Sequence, residues 1–162
     1  MTKARRELGL SAVLVVAMAV AILVPGWAAA QSGPYQYYAL TPCRVVDTRD
    51  ASEPLRQGGL VTASVQRNLT IKGRCGVSTG AAAVTVNLTV TSPTQEGFVS
   101  LWPVGGAFPT VSTINFPAFE PALANGAIVP LAAGTPDLAA IYGTASGGGT
   151  IHLIIDVTGY FQ

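Results

Sequence analysis

The sequence is poor in charge and in the residues of metal chemistry. Nine Lys or Arg and eight Asp or Glu residues in 162 give a formal net charge of +1. Such a balance excludes a nucleic-acid binder whose affinity comes from a basic surface. One histidine and two cysteines, without a CxxC pair, are too few for a tetrahedral metal site. We therefore expect no nucleic-acid partner, no bound metal and no cofactor.

Signatures of common enzymes are missing as well. The sequence contains no GxSxG or HExxH motif and no glycine-rich loop that would cradle a phosphate. Seven acidic residues follow position 30, and spacing alone does not exclude a carboxylate pair of the glycosidase type. Most of them lie beside turn residues, where carboxylates are ordinary. The sequence predicts a protein that is not an enzyme, with a small hydrolase as the third-ranked alternative.

The N-terminus has the features of an export signal. Lys3, Arg5 and Arg6 precede an apolar run over residues 12–24, and Ala28, Ala29 and Ala30 supply small residues for cleavage. A retained membrane anchor is the alternative, but the run is shorter than the roughly 20 apolar residues that a spanning helix needs. We expect a signal peptide over residues 1–30, a single domain over residues 31–162, and a secreted or envelope-associated protein with no membrane contact after cleavage.

The remaining chain has the pattern of an all-β protein. In residues 82–91, apolar Val84, Val86, Leu88 and Val90 alternate with polar side chains, which indicates a strand with one buried face. Eighteen glycines and eleven prolines supply turns between short apolar runs. We expect a single-domain antiparallel β-sandwich, jelly-roll-like, with about eight to ten short strands. The other runs are residues 35–40, 65–71, 98–102, 111–116, 127–131, 138–142 and 151–161.

Cys43 and Cys75 are the only cysteines, and both follow the expected cleavage site. An even number of cysteines in an exported chain indicates a disulfide. Two buried free thiols are the alternative.

Residues 42–50 are unusually rich in charge for this chain. Arg44, Asp47, Arg49 and Asp50 lie within seven positions. Strand alternation would place Asp47 and Arg49 on one face and Arg44 on the other. Buried charges need partners, and Asp156 lies in an otherwise apolar run near the C-terminus. We therefore expect a structural ion-pair network of Arg44, Asp47, Arg49 and Asp156 that joins the first and last strands, with a ligand site as the alternative.

Calcium binding and histidine catalysis are two further possibilities for the polar residues. Asp47, Asp50, Glu53 and Asp137 are the candidate oxygen ligands for a calcium ion, although no DxDxDG loop is present. His152 and Asp156 have the residue types of a catalytic pair. Four strand positions separate them by roughly 13 Å, however, so they cannot hydrogen-bond directly in a straight strand. We expect a structural role for His152.

Aromatic residues suggest two ways to bind a partner. Tyr35, Tyr37, Tyr38 and Trp102 are candidates for a surface on which sugar rings stack. Residues 35–40 also have the pattern of an edge strand, which could pair with its own sheet or with a neighbouring molecule. We expect the partner to be a cell-surface or matrix polymer, or a second copy of the chain.

The sequence resembles a family of secreted bacterial β-rich modules. The opening YALTPCRVVDTR over residues 38–49 and the ending HLIIDVTGYF over residues 152–161 resemble the corresponding ends of the family pattern. The resemblance implies export and a surface or extracellular setting, often in tandem or beside hydrolase and adhesion-like domains, with no known catalytic role. The other similar stretches are residues 74–77, 83–90, 97–103, 112–116 and 124–125.

Together these features favour an exported, non-catalytic structural or adhesive module of the bacterial cell envelope or matrix. The second interpretation is a carbohydrate-binding module for a wall or extracellular polysaccharide. The two differ in whether exposed aromatic side chains form a sugar-binding platform.

Overall fold

A computed structural model of the chain describes residues 33–50 and 57–162. The expected signal peptide over residues 1–30 and the candidate calcium ligand Glu53 lie outside these residues. The described part is all-β, as the sequence predicts. No helix in it is both long and apolar enough to cross a membrane.

The described residues form nine strands, which pair antiparallel in two sheets packed face to face. One sheet has the order β1-β9-β4-β7, with β2 also paired to β9, and the other has the order β3-β8-β5-β6. This confirms the predicted β-sandwich. The strands are β1 (Tyr37–Asp47), β2 (Val61–Thr62), β3 (Arg67–Leu69), β4 (Ala83–Thr91), β5 (Gly97–Pro103), β6 (Ile114–Phe116), β7 (Ala122–Pro130), β8 (Leu138–Gly143) and β9 (Thr150–Phe161).

The two strand orders are those of a jelly roll. From β3 onward, only the connection from β5 to β6 stays within one sheet, and every other connection crosses to the opposite sheet. The first strand, β1, lies beside the last strand, β9, so the two ends of the domain are neighbours. This double-sheet arrangement leaves β1 and β7 as the edges of the larger sheet and β3 and β6 as the edges of the smaller one.

The core lies between the sheets and follows from side-chain alternation. On β4, Val84, Val86, Leu88 and Val90 are buried, whereas the threonine and asparagine side chains between them face outward. On β9, the predicted inward positions 151, 153, 155 and 157 are all buried. Burial of each such side chain contributes about 1.5–3 kcal/mol. Outward-facing Asp156 of β9 is therefore placed between Arg44 of β1 and Asn87 of β4.

Two predicted strands are shorter than their apolar runs. The run over residues 65–71 forms only the three-residue β3, and the run over residues 111–116 becomes a strand only at Ile114. Residues 104–113 instead fold over the outer face of the smaller sheet. The Ser100 hydroxyl donates to the Val111 carbonyl at 2.9 Å, and the Thr113 amide donates to the Val99 carbonyl at 2.7 Å. These bonds to β5 hold the segment against the sheet.

Candidate functional site

A β-bulge in β1 positions the charged segment. Arg44 lies opposite Asp156 on β9, but the next pair joins Val46 to Ile155, so Val45 is an extra residue on β1. A bulge of this kind shifts the alternation of side chains by one position. Consequently Arg44 and Asp47 lie on the same side, with 3.3 Å between Arg44 Nη1 and Asp47 Oδ2. The expectation that they lie on opposite faces is wrong, because it assumed a regular strand.

The four residues of the predicted network are all in contact. Arg44 donates from Nε to Asp156 Oδ1 at 2.8 Å and from Nη2 to Asp156 Oδ2 at 3.1 Å. Arg49 donates from Nε to Asp47 Oδ1 at 2.9 Å and from Nη2 to Asp47 Oδ2 at 2.7 Å. Each arginine thus holds one carboxylate by two hydrogen bonds, a geometry that suits the planar guanidinium. The network joins β1 to β9, as the sequence predicts.

The pairing shifts the protonation equilibria of the network. The side-chain hydrogen bond from Arg49 is the main cause that lowers the pKa of Asp47 from 3.8 to about 2. The hydrogen bond to Asp156 raises the pKa of Arg44, and the hydrogen bond to Asp47 raises the pKa of Arg49. Asp47 is buried, whereas both arginines are partly exposed. Asp47 and the two arginines are therefore charged and paired at neutral pH.

A disulfide lies directly beside the network. Cys43 and Cys75 are bonded, with 5.7 Å between their Cα atoms, which confirms the predicted pair. The bond attaches the turn at residues 73–77 to β1, next to Arg44. Leu40 packs against the core from the same strand, and Gly76 faces its side chain. The disulfide and the ion pairs thus fasten β1 on two sides.

His152 and Asp156 have separate partners. The Nδ1 atom of His152 lies 3.3 Å from Thr48 Oγ1, and both carboxylate oxygens of Asp156 accept hydrogen bonds from Arg44. Thr48 Oγ1 also accepts a 2.7 Å hydrogen bond from the Leu153 amide. His152 therefore helps to fasten the end of β1 to β9.

Two of the candidate calcium ligands, Asp47 and Asp137, have other partners. Asp47 is held by arginines. The buried Asp137 carboxylate accepts hydrogen bonds from the amides of Ile71 and Lys72, with Oδ1 at 3.0 Å from Ile71 N. Burial raises the pKa of Asp137 against the opposing effect of these hydrogen bonds. No group of three His, Cys, Asp or Glu side chains in residues 33–50 and 57–162 is arranged to hold a metal ion.

Three of the four candidate stacking residues are exposed around the start of β1. Tyr35, Tyr37 and Tyr38, the tyrosine patch, have relative exposures of 38%, 49% and 42%. Adjacent positions in a strand point to opposite faces, so Tyr37 and Tyr38 flank the edge strand on both sides. Their rings rest against the end of β9: Tyr37 packs 5.1 Å from Phe161, and Tyr38 stacks 5.0 Å from Tyr160, between ring centroids.

Trp102 is not part of a binding surface. Its relative exposure is 6%, because residues 104–113 fold over it and Phe108 packs edge-on against its ring at 5.5 Å. The expectation that Trp102 stacks on a ligand is therefore wrong. In place of Trp102, the covering segment exposes Phe108 and Val111.

Arg67 is an important polar residue to which sequence reasoning gave no role. Its guanidinium donates to the backbone carbonyls of residues 57–60, at 2.8 Å to Gly59 and 2.9 Å to Gln57. The only signal in the sequence is a charge at an inward position of an otherwise alternating run. Arg67 thereby fixes the loop that leads into β2.

Comparison with known proteins gives no relative for this arrangement. No family model, curated protein or solved structure matches the chain.

Proposed function

We propose that this protein is an exported, non-catalytic structural or adhesive module of the bacterial cell envelope or extracellular matrix. The tyrosine patch on the edge strand β1 is the observation that carries the proposal. Two of its three partly exposed aromatic side chains lie on β1, which is fastened by a disulfide and by ion pairs, and Tyr35 lies two residues before that strand. Rigid, exposed tyrosines supply contact area at a small entropic cost, as they do at protein interfaces.

The contacts around the patch support a fixed binding surface. The Tyr37 hydroxyl donates to the Thr158 carbonyl at 3.3 Å, and the Tyr38 hydroxyl donates to Gln36 Oε1 at 3.0 Å. Gln36 exchanges two backbone hydrogen bonds with Gln162, which extends the pairing of β1 with the end of β9. The rings of Tyr37 and Tyr38 are consequently held in place before a partner arrives, and binding orders few additional groups.

The outer edge of β1 offers a second way for the protein to associate with another molecule. β1 is the outermost strand of its sheet, so its unpaired backbone groups could pair with a strand of another molecule. Pro42 has no N–H group and limits such pairing to the residues before it. Those residues carry the tyrosine patch. Self-association through this edge and adhesion to a polymer therefore use the same surface.

A non-catalytic role agrees with how the titratable groups are used. The carboxylates of Asp47 and Asp156 are bonded by arginines, and that of Asp137 by backbone amides. His152 is bonded to Thr48. These groups have structural partners that would have to be released before they could act on a substrate.

The export proposal is supported by the leader-like residues 1–30 and by the disulfide. Disulfides persist in oxidising compartments outside the cytoplasm. Expression of the full chain in a bacterium, followed by cell fractionation and intact mass measurement, tests it. We expect the protein in the envelope or medium with Gln31 as its first residue. An uncleaved chain in the cytoplasm would contradict the proposal.

The adhesive role is tested with the purified protein against isolated cell walls, extracellular polysaccharides and a blank resin, with light scattering run in parallel. We expect saturable binding or concentration-dependent oligomers, either of which weakens in Tyr37→Ala and Tyr38→Ala. Ile128→Ala is the matched control, because it removes an exposed apolar side chain from β7, at the other edge of the sheet. A monomer that binds none of these materials would contradict the proposal.

The second candidate function is carbohydrate binding through the tyrosine patch. The stacked pair of Tyr38 and Tyr160 exposes aromatic surface of the kind on which sugar rings stack. Saturable binding of one soluble polysaccharide, lost in Tyr38→Ala and without oligomers, would favour this function over self-assembly.

A further inference from the structure

A groove separate from the tyrosine patch lies on the outer face of the smaller sheet, beside edge strand β6. It consists of two adjoining cavities of about 220 and 460 Å³. Phe98 of β5 and Asn115 of β6 border both cavities and are directly paired across the two strands. The groove therefore has Phe98 and Asn115 at its centre, one cavity towards the segment 104–113 and the other towards residues 144–145.

The position of the Phe98 ring is fixed by a glycine. Gly143 of β8 lies opposite Phe98, and a Cβ atom at Gly143 would overlap the end of the ring. A Cβ atom at Gly97 would likewise overlap the Gly143 carbonyl and approach the Tyr142 ring at 2.7 Å. Any other residue at either position would therefore force its neighbours to move. The absence of side chains there lets Phe98 lie against the sheet and remain partly exposed.

One wall of the groove is formed by the segment 104–113, which is held in place by contacts with β5. Ser100, which is buried, anchors Val111 by its hydroxyl, and Phe108 packs against Trp102. Val111 and Phe108 have exposures of 69% and 55%, although both line the cavity. Ligand sites are commonly preformed clefts with apolar walls and a few convergent polar groups. This groove has that composition.

The polar groups of the groove are almost all uncharged. Asn115 Nδ2 donates to Ser112 Oγ at 2.8 Å, and an amide and a hydroxyl bonded in this way still offer a donor and acceptors to a ligand. Thr110 lies on the same side as Ser112, Thr144 lies at the far end, and Glu96 is the one charged residue. No lysine or arginine lines either cavity in the described part of the chain. An anionic ligand would lack a counter-charge there.

From these observations we infer that the groove centred on Phe98 and Asn115 binds an uncharged saccharide. A sugar ring presents a face of C–H groups, which packs on an aromatic ring, and a rim of hydroxyls, which exchange hydrogen bonds with amide, hydroxyl and carboxylate groups. Phe98 supplies the aromatic surface, and Asn115, Ser112 and Glu96 supply the hydrogen-bonding groups. Apolar side chains offer no hydrogen bonds to these polar groups, which disfavours an apolar peptide. The inference goes beyond the proposed function, because the groove and the tyrosine patch share no residue.

The test is titration calorimetry of the purified full chain with neutral hexasaccharides of glucose, xylose, mannose and N-acetylglucosamine. A galacturonic acid hexamer and an alanine-leucine decapeptide serve as the anionic and peptide probes. The variants are Phe98→Ala, Asn115→Ala and the ring-conserving Phe98→Tyr, with Ile128→Ala as the matched control on the other sheet. Because a variant can fail to fold, amide chemical shifts of the unaltered protein, recorded with each probe, locate the site independently.

We expect at least one neutral hexasaccharide to bind, with shift changes centred on residues 96–98 and 110–116. Phe98→Ala should weaken binding about tenfold or more, Asn115→Ala several-fold, and Phe98→Tyr and Ile128→Ala little. Three results would overturn the inference: no neutral hexasaccharide binds at millimolar concentration, the anionic or peptide probe binds in preference, or the shift changes lie at the tyrosine patch. If Tyr38→Ala loses binding and the groove variants do not, the result would support carbohydrate binding by the tyrosine patch and would refute carbohydrate binding by the groove.

Discussion

Arg44 and Asp156 join the first strand of the domain to the last by two parallel hydrogen bonds, from Nε to Oδ1 at 2.8 Å and from Nη2 to Oδ2 at 3.1 Å. The two residues are 112 positions apart and lie directly opposite each other on β1 and β9. The side chain of Arg44 is 38% exposed and that of Asp156 is 23% exposed. The pair is therefore partly screened by water. Its bidentate geometry makes its contribution to stability larger than that of an ordinary surface ion pair.

The first prediction concerns this pair. Asp156→Asn removes the charge and one of the two acceptors, and we expect it to lower the free energy of unfolding by about 1 kcal/mol. Urea unfolding at pH 7 measures the change. No loss of stability would contradict the structural role of the network.

A double-mutant cycle separates the pair from its surroundings. Arg44→Gln and Asp156→Asn, alone and combined, should give a coupling energy of about 0.5–1 kcal/mol. The coupling should decrease at high salt, because the two side chains are partly exposed. Additive effects would show that the two residues act independently.

The second prediction concerns pH. The pKa of Asp47 is lowered from 3.8 to about 2, so its contribution to stability is complete above about pH 4 and is lost as pH falls through 2. The shift corresponds to about 2 kcal/mol, which we reduce to about 1 kcal/mol because Arg49 is half-exposed. Asp47→Asn should therefore be less stable at pH 7 and should lose less stability between pH 4 and pH 2.

Asp137 would act in the opposite direction. Its pKa is raised by burial, so its contribution is complete below its ordinary pKa and is lost as pH rises. The unaltered protein and Asp47→Asn share this contribution, so it cancels when their urea unfolding curves are compared at each pH. Parallel stability profiles of the two proteins from pH 4 to pH 2 would contradict the prediction for Asp47.

The third prediction concerns the disulfide between Cys43 and Cys75, which are 32 positions apart. A cross-link over a loop of this length restricts the unfolded chain and stabilises the fold by about 3.5–4 kcal/mol. The variant Cys43→Ala/Cys75→Ala should lose about that amount in urea unfolding. The unaltered protein in reductant is the control and should approach the stability of the variant. A variant as stable as the oxidised protein would rule out this contribution.

The fold was predictable because its two central strands have regular alternation. Val84, Val86 and Leu88 on β4 and Leu153 and Ile155 on β9 all face the core, and local pattern alone identifies such strands. The disulfide was predictable because the chain has only two cysteines. That Asp156 pairs with Arg44 or Arg49 was predictable from the scarcity of charge, and the structure shows that its partner is Arg44.

The finer geometry was not predictable, because it depends on contacts between distant segments. The extra residue Val45 reverses the side on which Asp47 points, and nothing in the local pattern marks that bulge. Trp102 points outward from its sheet and is buried only because residues 104–113 return over it. The groove at Phe98 depends on Gly143, a residue of another strand that shows no pattern of its own.

The last prediction concerns Arg67, whose two terminal nitrogens donate to four consecutive carbonyls. Nη1 bonds Gly59 at 2.8 Å and Leu60 at 3.2 Å, and Nη2 bonds Gln57 at 2.9 Å and Gly58 at 3.1 Å. A lysine ammonium is a compact charge without this planar fork, so Arg67→Lys should lose most of the bonds that Arg67→Ala loses. We expect both variants to be less stable by about 1–2 kcal/mol.

The effect should be local as well as global. Loss of the four bonds frees the loop that leads into β2, which pairs with β9 only through Val61 and Thr62. Hydrogen exchange at the amides of β2 should therefore accelerate in Arg67→Lys, while exchange at the centre of β4 changes only with global stability. Asn68→Ala, which alters the adjacent exposed side chain on β3, is the control. Equal acceleration of hydrogen exchange in β2 and β4 would contradict the local effect. It would mean that Arg67 stabilises the whole fold and not mainly the loop that leads into β2.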